Sequence, residues 1–235
     1  MIGIERLIPQ DPEARFYGVT IAVVTNIKDP DGVGRVKVKF PWLSTDDESP
    51  WARVLTPMAG DDRGFYFLPE VDDEVLVAFE HGDMAFPYIL GGLWNGKDKP
   101  PEKNDDGENN KRLIKSRSGH KIILDDTEDK EKIIIEDKTG KNKIVIDCEN
   151  NAMTIEVEKD LKIEAKGKVN IKSKDDDMTL ECKNLQIKTQ QACKIQAGSD
   201  CQVEAKAKAE FTAKAGLEIT CNAGVKVNNG ALEVM

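Results

Sequence analysis

From Met153 the chain repeats in steps of eight residues, and that period constrains the fold more than any other feature of the sequence. First places are Met153, Leu161, Val169, Asp177, Leu185, Cys193, Cys201, Ala209, Leu217 and Val225. Third places are Ile155, Ile163, Ile171, Thr179, Ile187, Ile195, Val203, Phe211, Ile219 and Val227, and the fifth are mostly small, as at Ala165, Ala197, Ala205 and Ala213. Side chains alternate along a strand, so places 1, 3 and 5 share one face and the Lys, Glu, Gln and Thr between them share the other. One unit, DMTLECKN, runs a place late. An extra turn residue at 175–177, offset by a shorter turn at Lys183 and Asn184, keeps Met178, Leu180 and Cys182 on the apolar face and Glu181 off it.

A five-residue strand spans only about 17 Å and cannot make a core alone. It must stack on similar strips at roughly 4.8 Å and face others across an axis, which is the logic of a solenoid or fibre. Two constructions satisfy the pattern. One chain could coil through three units per turn, or three copies could intertwine, each supplying one strand per layer. Upstream, HKIILDDTEDKE, KIIIEDKTGKN and KIVIDCENNA begin at His120, Lys132 and Lys143 and read as a strand plus a polar turn that shortens from unit to unit.

The N-terminal part is built differently. All ten prolines lie at or before Pro101, and Phe211 is the sole aromatic beyond Trp94. Between Phe16 and Asn95 the runs VTIAVV, GRVKVKF, WARVLT, EVLVAFE and PYILGGLW are separated by Pro, Gly and Asp clusters, which predicts a small barrel or sandwich of five strands. DPDG at Asp29–Gly32 predicts a turn, after which Val36 and Val38 face one way and Arg35, Lys37 and Lys39 the other. The segment NGKDKPPEKNDDGENN, from Asn95, reads as a solvated linker.

Net charge is −9, and residues 16–95 hold 13 acids against 6 bases, which argues against a nucleic-acid or anionic-membrane surface. No run approaches the roughly 20 apolar residues of a membrane span, and the N-terminus lacks signal-peptide features, so folding in a bacterial cytoplasm is expected. Cys148, Cys182, Cys193, Cys201 and Cys221 show no ligand spacing and read as small buried thiols. Asp125 with Asp126, and Asp72 with Asp73 and Glu74, read as turn and surface carboxylates. His120 reads as a residue at the start of a strand, the Asp-rich turns lack a spaced calcium loop, and no nucleophile, base and acid constellation is visible. No enzyme, catalytic residue, metal or cofactor is expected. Arg35, Arg53, Glu70 and Glu74 are candidates for ties between barrels.

The run NIKDPDGVGRVKVKFPWL, then SPWARVLTPMAGDDRGFYFLPEVDDEVLVAFEHGDMAFPYILGGLWNGKDKPP and KSRSGHKIILDDTEDKEKIIIEDKTG, resembles the valine-glycine repeat (VgrG) proteins of type VI secretion and phage baseplate assembly protein V, the central spikes of contractile injection machines. The resemblance implies an all-β chain with an OB-fold barrel at 16–95 after an arm at 1–15. A linker or neck at 96–112 and an intertwined trimeric β-helix at 113–235, a needle with octads from 153, would follow. It is this resemblance that selects the homotrimer over the single coil, with Ile155, Ile163, Ile171, Ile187, Ile195, Val203, Phe211, Ile219 and Val227 as the trimer core.

The chain departs from that pattern in three ways. Only about 15 residues precede the barrel, so the hub is expected to be a separate protein on the N-terminal side. The linker is too short for the lysozyme domain of some phage spikes. The only histidines are His81 and His120, so the paired-histidine iron apex of others is not expected. The end, VKVNNGALEVM, leaves Val225, Val227, Leu232, Val234 and Met235 as a dock for a conical PAAR-repeat tip protein. The expected role is structural: a needle that contacts the target membrane transiently as part of a phage tail, tailocin, extracellular injection particle or type VI system. The alternative is a trimeric adhesin or tail fibre that binds a surface glycan.

Overall fold

A computed structural model describes residues 15–43 and 47–224. The chain divides into two units, one ending at Glu164 and the other beginning at Ala165. Among the described residues, apart from a single 3₁₀ turn at Glu80–Gly82, the regular structure is all β.

The first sheet comprises β1 (Thr20–Asn26), β2 (Lys37–Lys39), β3 (Arg53–Val54), β6 (Glu74–Phe79) and β7 (Pro87–Gly92), in the order β2-β1-β6-β7-β3. Its pairings are antiparallel except β3 with β7. A bridge between Val36 and Ala52 joins the two edge strands, each amide donating to the other's carbonyl at 3.0 and 2.7 Å. The sheet thereby closes into a small barrel and both edges are used.

Period-two alternation places Ala22 and Val24 of β1, Val36 and Val38 around β2, Val75, Val77 and Phe79 of β6, and Ile89 of β7 in one buried core. Ser49, the one buried polar residue among those described, is satisfied: its hydroxyl accepts the Val38 N–H at 3.1 Å and donates to the Pro50 carbonyl at 2.7 Å. The DPDG turn closes on Asp29, whose carboxylate accepts the N–H groups of Asp31, Val33 and Arg35 and both arms of the Arg35 guanidinium. Hydrogen bonding from Arg35 holds the Asp29 carboxyl well below the usual carboxylate range. Arg35 pairs within its own chain with Asp29 and Asp31. Glu70 accepts from Arg117 of the same chain at 2.9 Å, Arg53 lies over the Tyr88 ring and Glu74 faces Asn95.

A two-stranded hairpin, β4 (Ala59–Gly60) with β5 (Arg63–Gly64), projects from the barrel segment. The sequence reading did not place it. The second five-stranded sheet is an antiparallel meander of β8 (Lys111–Lys115), β9 (Lys121–Asp125), β10 (Lys132–Glu136), β11 (Lys143–Asp147) and β12 (Ala152–Glu156). β8 begins inside the segment read as linker, because KRLIK carries only two apolar residues and shows its strand character only when paired with β9. Each strand of this stretch pairs with its neighbour in the same chain. The turns between strands are closed by carboxylates: Asp125 accepts from Thr127, and Asp147 from Asn150. Asp137 accepts from Thr139 and Asn142, whose side-chain amide contributes most to holding that carboxyl low.

Candidate functional site: an uncovered apolar face

The two faces of the meander differ in kind. On one, the register aligns Ile114, Ile122, Ile135, Ile144 and Ile155 in one column, and Arg112, Leu124, Ile133, Ile146 and Met153 in the next. On the other, a single half-buried row of Leu113, Ile123, Ile134 and Val145 runs between charges. Those charges pair across strands: Lys121 with Glu136 at 2.9 Å, Lys143 with Glu156 at 3.0 Å and Lys132 with Asp147 at 3.1 Å. Such pairs are worth roughly 0.2–1 kcal/mol each and belong on a solvated wall. The two-column face carries no such shield. Nearly all of it is exposed, with Ile144 the half-buried exception, and an open apolar groove of ≈ 690 Å³ lies along its first column.

Met153 and Ile155, the first and third places of the first octad, stand on this uncovered face, as does Cys148 by register beyond Ile146. Downstream, bends recur at 158–159, 166–167, 174–176, 183, 190–191, 198–199, 206–207, 214–215 and 222–223. They fall at the sixth and seventh places of the octads. Where the sequence calls for an extra turn residue the bend is three residues long, and where it calls for a shorter one the bend is the single residue 183. Among the described residues from 157 on, no strand pairs with another in this chain.

The side chains of the repeat are accordingly bare: Ile163 is 72% and Ile195 80% exposed, and Ile155, Ile171, Ile187, Val203, Phe211 and Ile219 are exposed too. Val227 and the tip-dock residues Val225, Leu232, Val234 and Met235 lie outside the described residues. The thiols read as buried are all exposed in the single chain, because the face that carries them has nothing over it.

Little here resembles a catalytic centre. His120 sits in the β8–β9 turn, its Nδ1 accepting the Lys138 N–H at 3.3 Å and its own N–H donated to the Ser116 hydroxyl at 3.0 Å. Asp126 pairs with Arg112, and Asp73 accepts the Glu70 N–H. Among the described residues no cluster of three His, Cys, Asp or Glu could hold a metal, and no helix is long and apolar enough to cross a membrane.

The small five-stranded barrel is the part of the chain that defines its class. Residues 20–94 match the family model of the type VI secretion system/phage-baseplate injector OB domain. The chain is similar to the type VI secretion system spike protein VgrG1a of Pseudomonas aeruginosa, 36% identical over 104 residues that cover 41% of this chain and 16% of that protein. It is also similar to the spike protein VgrG3 of Vibrio cholerae, 39% identical over 75 residues, 30% of this chain and 7% of that one. A third relative, the actin cross-linking toxin VgrG1 of V. cholerae, is 35% identical over 104 residues, 41% of this chain and 9% of the toxin. The matches thus span less than a fifth of each relative's length. Residues 20–94 thus carry the injector OB domain, and the chain is similar to VgrG spike proteins over less than half of its length.

Proposed function

We propose that this protein is the structural central spike of a contractile injection machine, a homotrimer whose C-terminal repeats wind into a puncturing needle. The observation that carries the reading is the bare two-column face of the meander and its continuation at places 1, 3 and 5 of the octads. An apolar side chain of this size gains about 1.5–3 kcal/mol on full burial, and one chain offers it no cover. Three copies around an axis would bury all of these side chains and pair the strands that have no partner within the chain. Residues 113–235 are assigned to the needle in this reading, with the trimer core as named above.

The needle transmits force and carries no chemistry. Free energy for piercing would come from contraction of the sheath, and the load would meet a continuous hydrogen-bonded wall with charged side chains outside. The spike relatives support this role. The toxin's activity belongs to that relative, and no enzymatic role is proposed for this chain.

Ile163→Lys tests the reading. It should abolish the trimer in sedimentation velocity while leaving the emission of Trp42, Trp51 and Trp94, all in the N-terminal part, unchanged. Recovery of a normal trimer from that variant would refute the assigned inward face. At the far end, Val225, Val227, Leu232, Val234 and Met235 are proposed to seat a PAAR-repeat tip protein. Deleting residues 225–235 should then abolish co-purification with it, and unchanged binding would remove the dock.

A further inference from the structure

The β4–β5 hairpin is a built element whose aromatic side chains stand open. Its backbone is tightly specified: Phe65 N–H donates to the Met58 carbonyl at 3.0 Å, the Thr56 hydroxyl donates to the Phe65 carbonyl at 2.8 Å and the turn residue Asp62 takes φ 51°. At Gly64, φ is +152° and a Cβ would lie 2.5 Å from the Met58 carbonyl oxygen, so glycine is required there. Yet its side chains face water. Tyr66 is 79% exposed, Phe67 65% and Phe65 50%, with Phe65 and Phe67 stacked 6.5 Å apart. Three consecutive aromatics held in the open on a hydrogen-bonded hairpin form an interaction surface.

The patch adjoins the open face of the meander. Phe67 is the one barrel residue lining the groove over the meander, beside Ile114, Ile122, Ile135 and Ile155. The loop following the hairpin is tied to the same region by the Glu70–Arg117 pair at 2.9 Å. The aromatic patch is thus continuous with the apolar column that the proposed trimer buries. We infer that the hairpin is a second contact between protomers, in which Phe65, Tyr66 and Phe67 pack on another copy of this chain at the barrel end of the needle. The inference rests on the trimeric reading above.

The test replaces Tyr66 with the photo-crosslinking residue p-benzoylphenylalanine in the full chain, with a second variant carrying it at Phe67. Each is purified, its mass is checked, and it is irradiated as a mixture of isotopically light and heavy chains. A trimer that yields covalent dimers on a denaturing gel, with mixed light–heavy peptides linking 66 or 67 to a second copy, is the expected result. A sample of trimeric mass that gives no interchain product at either position overturns the hairpin contact and leaves the needle standing. That is the outcome if a different protein covers the patch. A sample that is monomeric before irradiation overturns both.

Discussion

The barrel and the repeat solve the same problem in opposite ways. In the barrel, Ala22, Val24, Val36, Val38, Val75 and Val77 are wholly buried by residues of their own chain, and a bridge between Val36 and Ala52 uses up the sheet edges. In the repeat, side chains of equal hydrophobicity alternate just as regularly and end in solvent. Alternation alone therefore fixes which residues share a face, and the number of strands within reach fixes whether one chain can cover it. A five-stranded sheet can close on itself. The short strips of the repeat stay open in the single chain.

The largest effect that would break this comparison is concentration dependence. Ile171→Ala removes a stripe residue from every copy in a trimer, so the trimer should lose roughly three times the ~2–5 kcal/mol typical of a buried Ile→Ala change. Its urea midpoint should also fall on dilution. Ile89→Ala, in the barrel core at 1% exposure, should cost about 2–5 kcal/mol once, read by tryptophan fluorescence, with a midpoint independent of concentration. If the two variants showed the same concentration dependence, the contrast between the regions would be lost.

A smaller effect is expected at Gly64→Ala. The clash with the Met58 carbonyl should strain the hairpin by about 1–3 kcal/mol, seen as faster amide exchange confined to residues 56–68. Smallest is the response to acid. Asp29 in the barrel and Asp137 in the meander both titrate below their ordinary value, because Arg35 and the Asn142 amide respectively hydrogen-bond the charged form. A folded value below the unfolded one means the stabilisation is full at neutral pH and is lost as pH falls below about 4. Urea midpoints at pH 7, 4 and 2.5 should decline in that order, and Asp29→Asn should flatten the decline in the fluorescence signal of the barrel.

Much of this was legible in the sequence for a physical reason. Period two puts Val36 and Val38 on one face and Arg35, Lys37 and Lys39 on the other, and the valines are the buried set. The bends of the repeat fall at octad places six and seven, and their lengths follow the phase slip around Asp177. What was missed depended on geometry between elements. The β4–β5 strands are two residues long and carry Ala-Gly and Arg-Gly, too short for any alternation; the signal that could have found the hairpin is DDRG followed by FYF. The Arg35–Asp29 pair is not legible in the sequence because Asp29 comes within reach only once the turn folds. Composition suggests buried cysteines, whereas Cys193 and Cys201 are exposed in the single chain.

The central claim is that the repeat acquires an interior only from other copies of itself. Sedimentation equilibrium of the intact protein at micromolar concentration measures this most directly. The account predicts a single species of three times the 26.1 kDa chain mass, and a well-folded species at the mass of one chain would contradict it.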